Sequence, residues 1–268
     1  MSTDHPPKML FFDTFGTVVS WRTCVTEELS AAVLHAVNSE DLPADLRDRA
    51  AAVTWEDWLV FVAEWRHSYN FISVDQHHYN ALQDLLRQRG LDGLFTDEKL
   101  WELAFAWHRL RPWSDSVQGL ELLNRQFVTS TLSNGNISLL QDLQRHTSLP
   151  FVHLVSSENF KAYKPSPLVY NGAARKFGLE PGQCALVAAH LPDLEAAKSC
   201  GFQTIYVERE LEEDWSKEQA AKAKAEGWVD MWVDLESDGF REVARRFGIA
   251  SGVRGSTLER WVETCSDE

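Results

Sequence analysis

The hydrophobic pattern of the chain changes twice, and these changes divide it into three regions. Near the start, the apolar run Met9–Phe12 has the length of a short buried strand. From residue 23 to 111, apolar residues recur at helical spacing and strand-like runs are missing. From Trp113 onward, short apolar runs alternate with helical segments. Strands that alternate with helices predict a parallel sheet with right-handed crossover connections.

The pattern also predicts the bounds of these elements. After the first strand, helices are expected over residues 23–37, about 44–70, 75–89, and from Thr96 or Asp97 to just before Pro112. In the third region, strands are expected over 127–132, 151–155, 184–189, 203–207 and 229–233. The helices between and after them are expected over 115–126, up to 147, 165–178, 192–199, 220–226 and 239–247.

This arrangement predicts an α/β fold with an insertion after the first strand. A doubly wound, Rossmann-like parallel-sheet core is expected from residues 1–20 and 112–268, and an inserted helical cap domain from residues 21–111. An insertion at this point should sit over the carboxyl edge of the sheet, where it would form a lid above Asp13.

Charge and cysteine content narrow the class of protein. The formal net charge of -14 at pH 7 argues against a nucleic-acid partner or an anionic membrane surface. The four cysteines are dispersed, as expected for reduced thiols in the cytoplasm. We see no signal peptide at the start and no apolar run of membrane-spanning length. A cytoplasmic protein is predicted.

Several chemically reactive side chains fall at or just beyond the ends of predicted strands. They are Asp13, Ser133, Asn134, Lys164 with the nearby Tyr170, and Asp193. In a doubly wound sheet the carboxyl ends of the strands meet at one crevice. A carboxylate beside a lysine and neutral donors stays ionised, as a nucleophile must. A second carboxylate, Asp193, would orient or deprotonate a water.

Each of these residues also has a plain structural interpretation. Asp13 with Gly16 fits a helix N-cap and turn, and Ser133 with its neighbours fits a simple turn. Asp193 fits the first turn of a helix, and Lys164 fits a solvated lysine. Their common placement on successive strand ends favours a site.

The residues in these positions resemble a known family. The stretch 12–22, Phe-Asp-Thr-Phe-Gly-Thr-Val-Val-Ser-Trp-Arg, resembles the first motif of the haloacid dehalogenase superfamily and, within it, the L-2-haloacid dehalogenases. Residues 132–135, 163–167 with Tyr170, and 187–193 resemble its second, third and fourth motifs. Residues 106–113 are similar to the segment in which that family's chain leaves its helical cap.

The resemblance implies a role for each matching residue. Asp13 would attack C2 of a 2-haloacid, and the resulting aspartyl ester would then be hydrolysed. Lys164 and Thr17 would position Asp13, and Asp193 would activate the water. Ser133 would bind the substrate carboxylate, and Asn134 would contact the halide. Tyr170 would support Lys164.

The resemblance also separates this chain from the phosphatases of the superfamily. Those enzymes carry a second Asp two residues after the nucleophile, where this chain has Phe15, which cannot donate a proton. Their fourth motif has a further acidic group for Mg²⁺, but the matching residues here are 188–190, Ala-Ala-His. Asp13 and Asp193 alone supply too few oxygen ligands for a Mg²⁺ site. We therefore expect no metal and no other cofactor.

The pocket walls and the cap supply further candidates. Arg66 best matches the family's arginine for the leaving halide, although it also fits the solvated face of a long helix. Phe15 and Trp21 flank the nucleophile and are candidates for the pocket wall. His190 stands where the family often has Asn, so it either replaces that amide in positioning water or is a packed strand-end histidine.

The leading hypothesis is a metal-independent enzyme that uses water to convert short (S)-2-haloalkanoic acids to (R)-2-hydroxy acids. One alternative is a capped hydrolase of the same superfamily acting on another small electrophile, such as a phosphate ester. Another is a non-catalytic binding protein on the same scaffold. A homodimer is expected from the resemblance only.

Overall fold

The structure is a computed structural model, and it describes residues 6–65 and 73–249. Its strands are β1 (Met9–Phe12), β2 (Val19–Ser20), β3 (Arg111–Pro112), β4 (Val128–Thr131), β5 (Cys184–Ala188), β6 (Gln203–Val207) and β7 (Met231–Val233). Its α-helices are α1 (Trp21–Val37), α2 (Ala44–Ala51), α3 (Trp55–Trp65), α4 (Val74–Gln88), α5 (Asp97–Ala104), α6 (Ser116–Leu123), α7 (Ile137–Thr147), α8 (Pro167–Lys176), α9 (Leu191–Ser199), α10 (Lys217–Glu226) and α11 (Gly239–Arg246). Short 3-10 helices cover Phe105–Arg109, Ser157–Phe160 and Pro181–Gln183.

The chain divides into two units. One comprises Met1–Val19 and Pro112–Glu268, and the other comprises Ser20–Arg111. The first contains the main sheet, and the second contains α1 to α5. We propose that they are the core and cap domains expected from the sequence. Within the described ranges, none of the helices has both the length and the apolar character needed to cross a membrane.

The main sheet of the described residues has five parallel strands in the order β4-β1-β5-β6-β7. The chain places β4 on one side of β1 and later places β5 on its other side. The strand order therefore reverses beside β1, and ligands of such sheets bind at the carboxyl ends of the strands at this point. The predicted α/β parallel-sheet fold is confirmed.

The apolar run of β1 is continuous because both faces of the sheet are covered. Phe11 packs on one face, with its ring centroid 5.9 Å from that of Phe202. Phe12 packs on the other face, 5.2 Å from the ring of Phe240 in α11 and 5.6 Å from that of Phe151. Alternate side chains of a strand point to opposite faces, so four consecutive apolar residues are all buried here.

The predicted strand over residues 151–155 is wrong. The structure has an isolated bridge there, from His153 to Ser130, and a second one just after the segment, from Ser156 to Ser133. The Thr131 hydroxyl donates to the Val155 carbonyl at 3.0 Å and accepts from the Val155 N–H at 2.9 Å. The Thr131 hydroxyl thus takes the place of a backbone acceptor for the Val155 N–H, whereas the Thr131 and Ser133 N–H groups still donate to the His153 and Val155 carbonyls.

The predicted single helix over residues 44–70 is also wrong. It is divided into α2 and α3, and residues 66–70 lie outside the described part of the chain. Thr54 and Asp57 form a reciprocal cap: the Asp57 carboxylate accepts from the Thr54 N–H at 3.1 Å, and the Thr54 hydroxyl accepts from the Asp57 N–H at 3.2 Å. Such a cap starts a new helix and competes with continuation of the old one.

The last helix of the insertion is shorter than predicted, and aromatic residues pack beside it. Its N-cap is Thr96, whose hydroxyl accepts from the Lys99 N–H at 3.2 Å. The α-helix ends at Ala104, and the chain continues as the 3-10 turn that contains Trp107. Trp107 is buried and stacks on the ring of His78 at a centroid distance of 4.0 Å. Burial holds the pKa of His78 well below its usual value, so this histidine packs as a neutral ring.

A buried ion pair ties the loop after β1 to the rest of the core. Arg209 donates to both carboxylate oxygens of Asp115, at 2.6 and 2.8 Å, and its Nε donates to the Thr17 carbonyl at 3.2 Å. Asp115 also accepts from the Phe240 N–H at 2.7 Å. These contacts fix the start of α6, the start of α11 and the loop that follows β1.

Asp115→Asn should destabilise the fold by about 3–5 kcal/mol at neutral pH, because Arg209 would lose the partner of a buried charge. Burial raises the pKa of Asp115, but Arg209 more than offsets it and the net shift is downward. The stabilisation is therefore present above the unfolded pKa of about 4 and declines as the pH falls through the lower folded pKa. Urea unfolding as a function of pH measures this difference. Asp142→Asn, which breaks an exposed ion pair with Arg145, should cost less than about 1 kcal/mol.

Candidate active site

Asp13 follows β1 directly, at the place where the strand order reverses. Its N–H donates to the Val187 carbonyl of β5 at 3.0 Å, and the Leu132 N–H donates to the Phe12 carbonyl at 2.8 Å. These bonds extend the parallel pairing one residue beyond β1 on both sides. The backbone of Asp13 is therefore held between its two neighbouring strands.

Asp13 is one of three charged side chains that form a cluster at this position. Lys164 Nζ donates to Asp13 Oδ1 at 2.8 Å and to Asp193 Oδ2 at 2.6 Å. Tyr170 donates its hydroxyl hydrogen to Asp193 Oδ1 at 2.6 Å. The side chains are nearly buried, at 7% exposure for Lys164 and 11% for each carboxylate. One ammonium therefore neutralises part of the charge of two carboxylates with little help from solvent.

The electrostatics keep the nucleophile candidate ionised. Burial raises the pKa of Asp13, but Lys164 and His190 together bring it well below its ordinary value. Burial alone would lower the pKa of Lys164, and the two carboxylates raise it above its usual value. Burial and the Asp193 charge raise the pKa of Tyr170, which therefore stays a donor. An ionised Asp13 is the protonation state that nucleophilic attack requires.

Thr17 links Asp13 to the end of the next strand. Its hydroxyl donates to Asp13 Oδ2 at 2.7 Å and accepts from the Ala189 N–H at 2.9 Å. The tight turn between the two residues includes Gly16 at φ +82°, a conformation that favours glycine. Thr17 thus holds the carboxylate in one orientation.

The turn after β4 positions Lys164. Asn134 Oδ1 accepts from the Lys164 N–H and from the Ser157 hydroxyl, both at 2.8 Å. Ser133 is fully buried, and its hydroxyl accepts from the Gly135 N–H at 3.2 Å. The predicted contacts of Ser133 with a substrate carboxylate and of Asn134 with a halide stay predictions.

The pocket-wall and cap candidates fall in different parts of the chain. The Phe15 ring lies against Gly135, where a Cβ would meet it at 3.1 Å. Trp21 belongs to the helical unit, is buried, and stacks on Trp107 at a centroid distance of 5.4 Å. Arg66 lies outside the described residues. The roles predicted for all three stay predictions.

His190 contacts the nucleophile candidate and a residue that sequence reasoning missed. Its Nδ1 lies 3.2 Å from Asp13 Oδ2, and its Nε2 lies 3.7 Å from Glu212 Oε2. Glu212 follows β6 in a run of acidic residues that is typical of a solvated loop, so no local sequence pattern marks it as a site residue. Arg209 was missed for the same reason.

A Lys164 ammonium between two carboxylates is a poor environment for a metal ion. It lies within hydrogen-bonding distance of both Asp13 and Asp193, and it would repel a second cation there. Within the described parts of the chain, no group of three or more His, Cys, Asp or Glu side chains is arranged to hold a metal ion. Metal independence stays a prediction.

The sequence of residues 7–201 matches the family model of haloacid dehalogenase-like hydrolases. The chain belongs to this family. A curated relative of this hydrolase, (S)-2-haloacid dehalogenase 1 from Pseudomonas sp. (strain CBS-3), is 26% identical over 76% of this chain and 86% of its own. The family resemblance seen in the four motifs is thereby confirmed.

Solved structures give the same picture. The defluorinating L-2-haloacid dehalogenase Rha0230 is 29% identical, with a TM-score of 0.70 over 90% of this hydrolase and 94% of that chain. The L-2-haloacid dehalogenase PA0810 is also 29% identical, with a TM-score of 0.66 over 90% of this chain and 99% of its own. An α/β core with an inserted helical cap is consistent with these neighbours.

Lys164→Met should destabilise this hydrolase by about 3–5 kcal/mol at neutral pH, because it leaves two buried carboxylates without their ammonium. Desolvation would then raise the pKa of Asp13 above its unfolded value of about 4. The variant should consequently gain stability as the pH falls from neutral to about 5, since the folded state then binds the extra proton.

Urea unfolding at the two pH values measures this effect. Lys222→Met is a matched control, because that side chain is 74% exposed and should cost less than about 1 kcal/mol. If Lys164→Met were as stable as the wild type at neutral pH, the ammonium would not be what compensates these carboxylates.

Proposed function

We propose that the protein hydrolyses short (S)-2-haloalkanoic acids to (R)-2-hydroxy acids, with Asp13 as the nucleophile and without a metal. The observation that carries the proposal is the position of the Asp13 carboxylate, which Lys164 and Thr17 hold at the reversal point of the sheet. The names of the relatives and neighbours, which are 2-haloacid dehalogenases, support the choice of substrate class.

In the first step, an Asp13 carboxylate oxygen attacks C2 of the substrate. The C–halogen bond breaks, the halide leaves with the bonding electron pair, and C2 is inverted. This displacement needs no proton donor at the leaving group. Phe15, two residues after Asp13, suits such a leaving group because its ring has no proton to give.

In the second step, water adds to Cγ of the Asp13 ester. Asp193 accepts a proton from the water, and the alkoxide of the hydroxy acid leaves and takes up that proton. The new acid group on Asp13 loses its own proton to solvent. Lys164 bridges both carboxylates, so it can hold Asp13 for attack and hold Asp193 beside it.

Substrate binding is assigned by matching motif positions. Ser133 would bind the substrate carboxylate, Asn134 would contact the halide, and Phe15 with Trp21 would line the pocket. Asn134 also fixes the backbone of Lys164, which supports a place for it near the reacting groups. Arg66 would accept the developing charge of the leaving halide.

The proposed setting is the cytoplasm, with a 2-haloacid and water as the partners and no nucleic acid or membrane. The acidic net charge of -14 supports the exclusion of nucleic acid. Cys24, Cys184 and Cys200 are free, which fits a reducing compartment. A homodimer is expected from the family resemblance only.

The wild-type protein should release halide from racemic 2-chloropropionate and stop at half conversion, because the proposed substrate is the (S)-enantiomer alone. Release should be unchanged by a chelator or by added Mg²⁺. Asp13→Asn should reduce it by at least about a thousandfold, since an amide is not a nucleophile of comparable strength. Halide titration and chiral analysis of the remaining acid measure these effects.

Glu210→Gln, an exposed charge change remote from the nucleophile in sequence, is the control for handling and folding. Absence of halide from every short 2-haloacid would contradict the proposal, and Mg²⁺-dependent hydrolysis of phosphate esters would replace it. Halide release that survives in Asp13→Asn would exclude Asp13 as the nucleophile.

Arg66→Met should lower kcat for chlorinated substrates by about a hundredfold, because the departing halide loses its cationic partner in the transition state. KM should change far less. Arg87→Met, in the same helical unit but exposed and paired with Asp84, should behave as the wild type. Steady-state halide release separates the two parameters, and an equal loss in both variants would argue against a specific role for Arg66.

A further inference from the structure

His190 connects the nucleophile to a second buried carboxylate. Its Nδ1 is 3.2 Å from Asp13 Oδ2, and its Nε2 is 3.7 Å from Glu212 Oε2. His190 is only 4% exposed and Glu212 only 1%. We propose that Glu212 is a positioning residue that keeps His190 as a hydrogen-bond donor to Asp13 Oδ2 during hydrolysis of the ester. The inference rests on the proposed function, because it concerns the second step of that reaction.

The loop after β6 is folded in a way that directs Glu212 inward. Leu211, just before it, has φ +62°, a left-handed backbone conformation that residues other than glycine rarely adopt. Leu211 is exposed while Glu212 is buried. Arg209 anchors the start of this turn through its bidentate pair with Asp115, and its carbonyl accepts from the Glu212 N–H at 3.4 Å.

The first motif leaves room for this carboxylate. A Cβ on Gly16 would lie 2.2 Å from Glu212 Oε2, a distance that no real contact tolerates. The atoms met belong to the end of the Glu212 side chain, so a side chain at residue 16 would push the Glu212 carboxylate away from His190. The positive φ of Gly16 separately favours glycine.

Each ring nitrogen of His190 faces a carboxylate, and two such neighbours favour the imidazolium form, in which both nitrogens carry a hydrogen. The Nδ1–H then donates to Asp13 Oδ2, whereas a neutral ring with its hydrogen on Nε2 would have no donor there. Thr17 donates to the same oxygen at 2.7 Å. Asp13 Oδ2 thus has two donors, whereas Oδ1 is held by Lys164.

This arrangement suits the hydrolytic step. If Oδ1 attacks the substrate, Oδ2 becomes the carbonyl oxygen of the ester. When water adds to Cγ, the carbonyl electron pair moves onto Oδ2, and the proton of the water goes to Asp193. Donors already in place at that oxygen stabilise the charge where it develops. Displacement of halide, by contrast, removes charge from Asp13 and gains nothing from them.

The test compares Glu212→Gln with Glu210→Gln, an exposed neighbour in the same loop. In rapid mixing with (S)-2-chloropropionate, Glu212→Gln should release about one halide per active site at nearly the wild-type rate. It should then form 2-hydroxy acid at least about tenfold more slowly, so that mass spectrometry of the intact protein detects the alkyl ester. Glu210→Gln should show wild-type hydrolysis and no accumulated ester.

His190→Ala tests whether Glu212 acts through the imidazole. It should also accumulate the ester, and the double variant with Glu212→Gln should be no slower than His190→Ala alone. Losses that multiply, equal slowing of both steps, or absence of the ester would overturn the proposal. If thermal unfolding shows that Glu212→Gln does not fold, His190→Ala decides alone by whether its ester accumulates. No halide from the wild type would instead contradict the proposed function itself.

Discussion

The Lys164 ammonium between Asp13 and Asp193 is the interaction on which the rest of this site depends. Burial raises the pKa of Asp13, and the Lys164 cation, which also pairs with Asp193, acts in the opposite direction. Several hydrogen bonds of the core hold that cation and its partners in place. Asn134 accepts from the Lys164 backbone N–H, and Tyr170 donates to the far oxygen of Asp193. The charge state of Asp13 therefore depends on side chains from several loops of the core.

A second buried cation connects the stability of the core to the geometry of the site. Arg209 joins the starts of two helices through Asp115 and also donates to the Thr17 carbonyl. Thr17 in turn donates to Asp13. The loop that carries the nucleophile is thus fixed from both of its ends, because β1 holds Asp13 and Arg209 holds Thr17. Pre-organisation of this kind limits the motion that a nucleophile must lose before it reacts.

The two carboxylate oxygens of Asp13 have different partners, and this difference gives each oxygen a different role in the proposed reaction. One oxygen is held by Lys164, and the other is held by Thr17 and His190. The match to the family model covers Asp13, Lys164, His190 and Asp193, whereas Glu212 lies beyond it. Buried polar groups of proteins generally have a partner, and the Glu212 carboxylate lies 3.7 Å from the second ring nitrogen of His190, within ion-pair distance.

The sequence by itself determined the parts that depend on local pattern. The apolar run of β1, the alternation of helices and strands and the motif residues around Asp13 were all predicted, since burial and periodicity act over a few neighbouring residues. Only the tertiary structure decided the rest. The pairing of segment 151–155 with β4 is interrupted at Val155, whose N–H donates to the hydroxyl of Thr131, a residue distant in sequence. Glu212 stands in an ordinary acidic loop, and its position opposite His190 follows from packing between loops that no local pattern encodes.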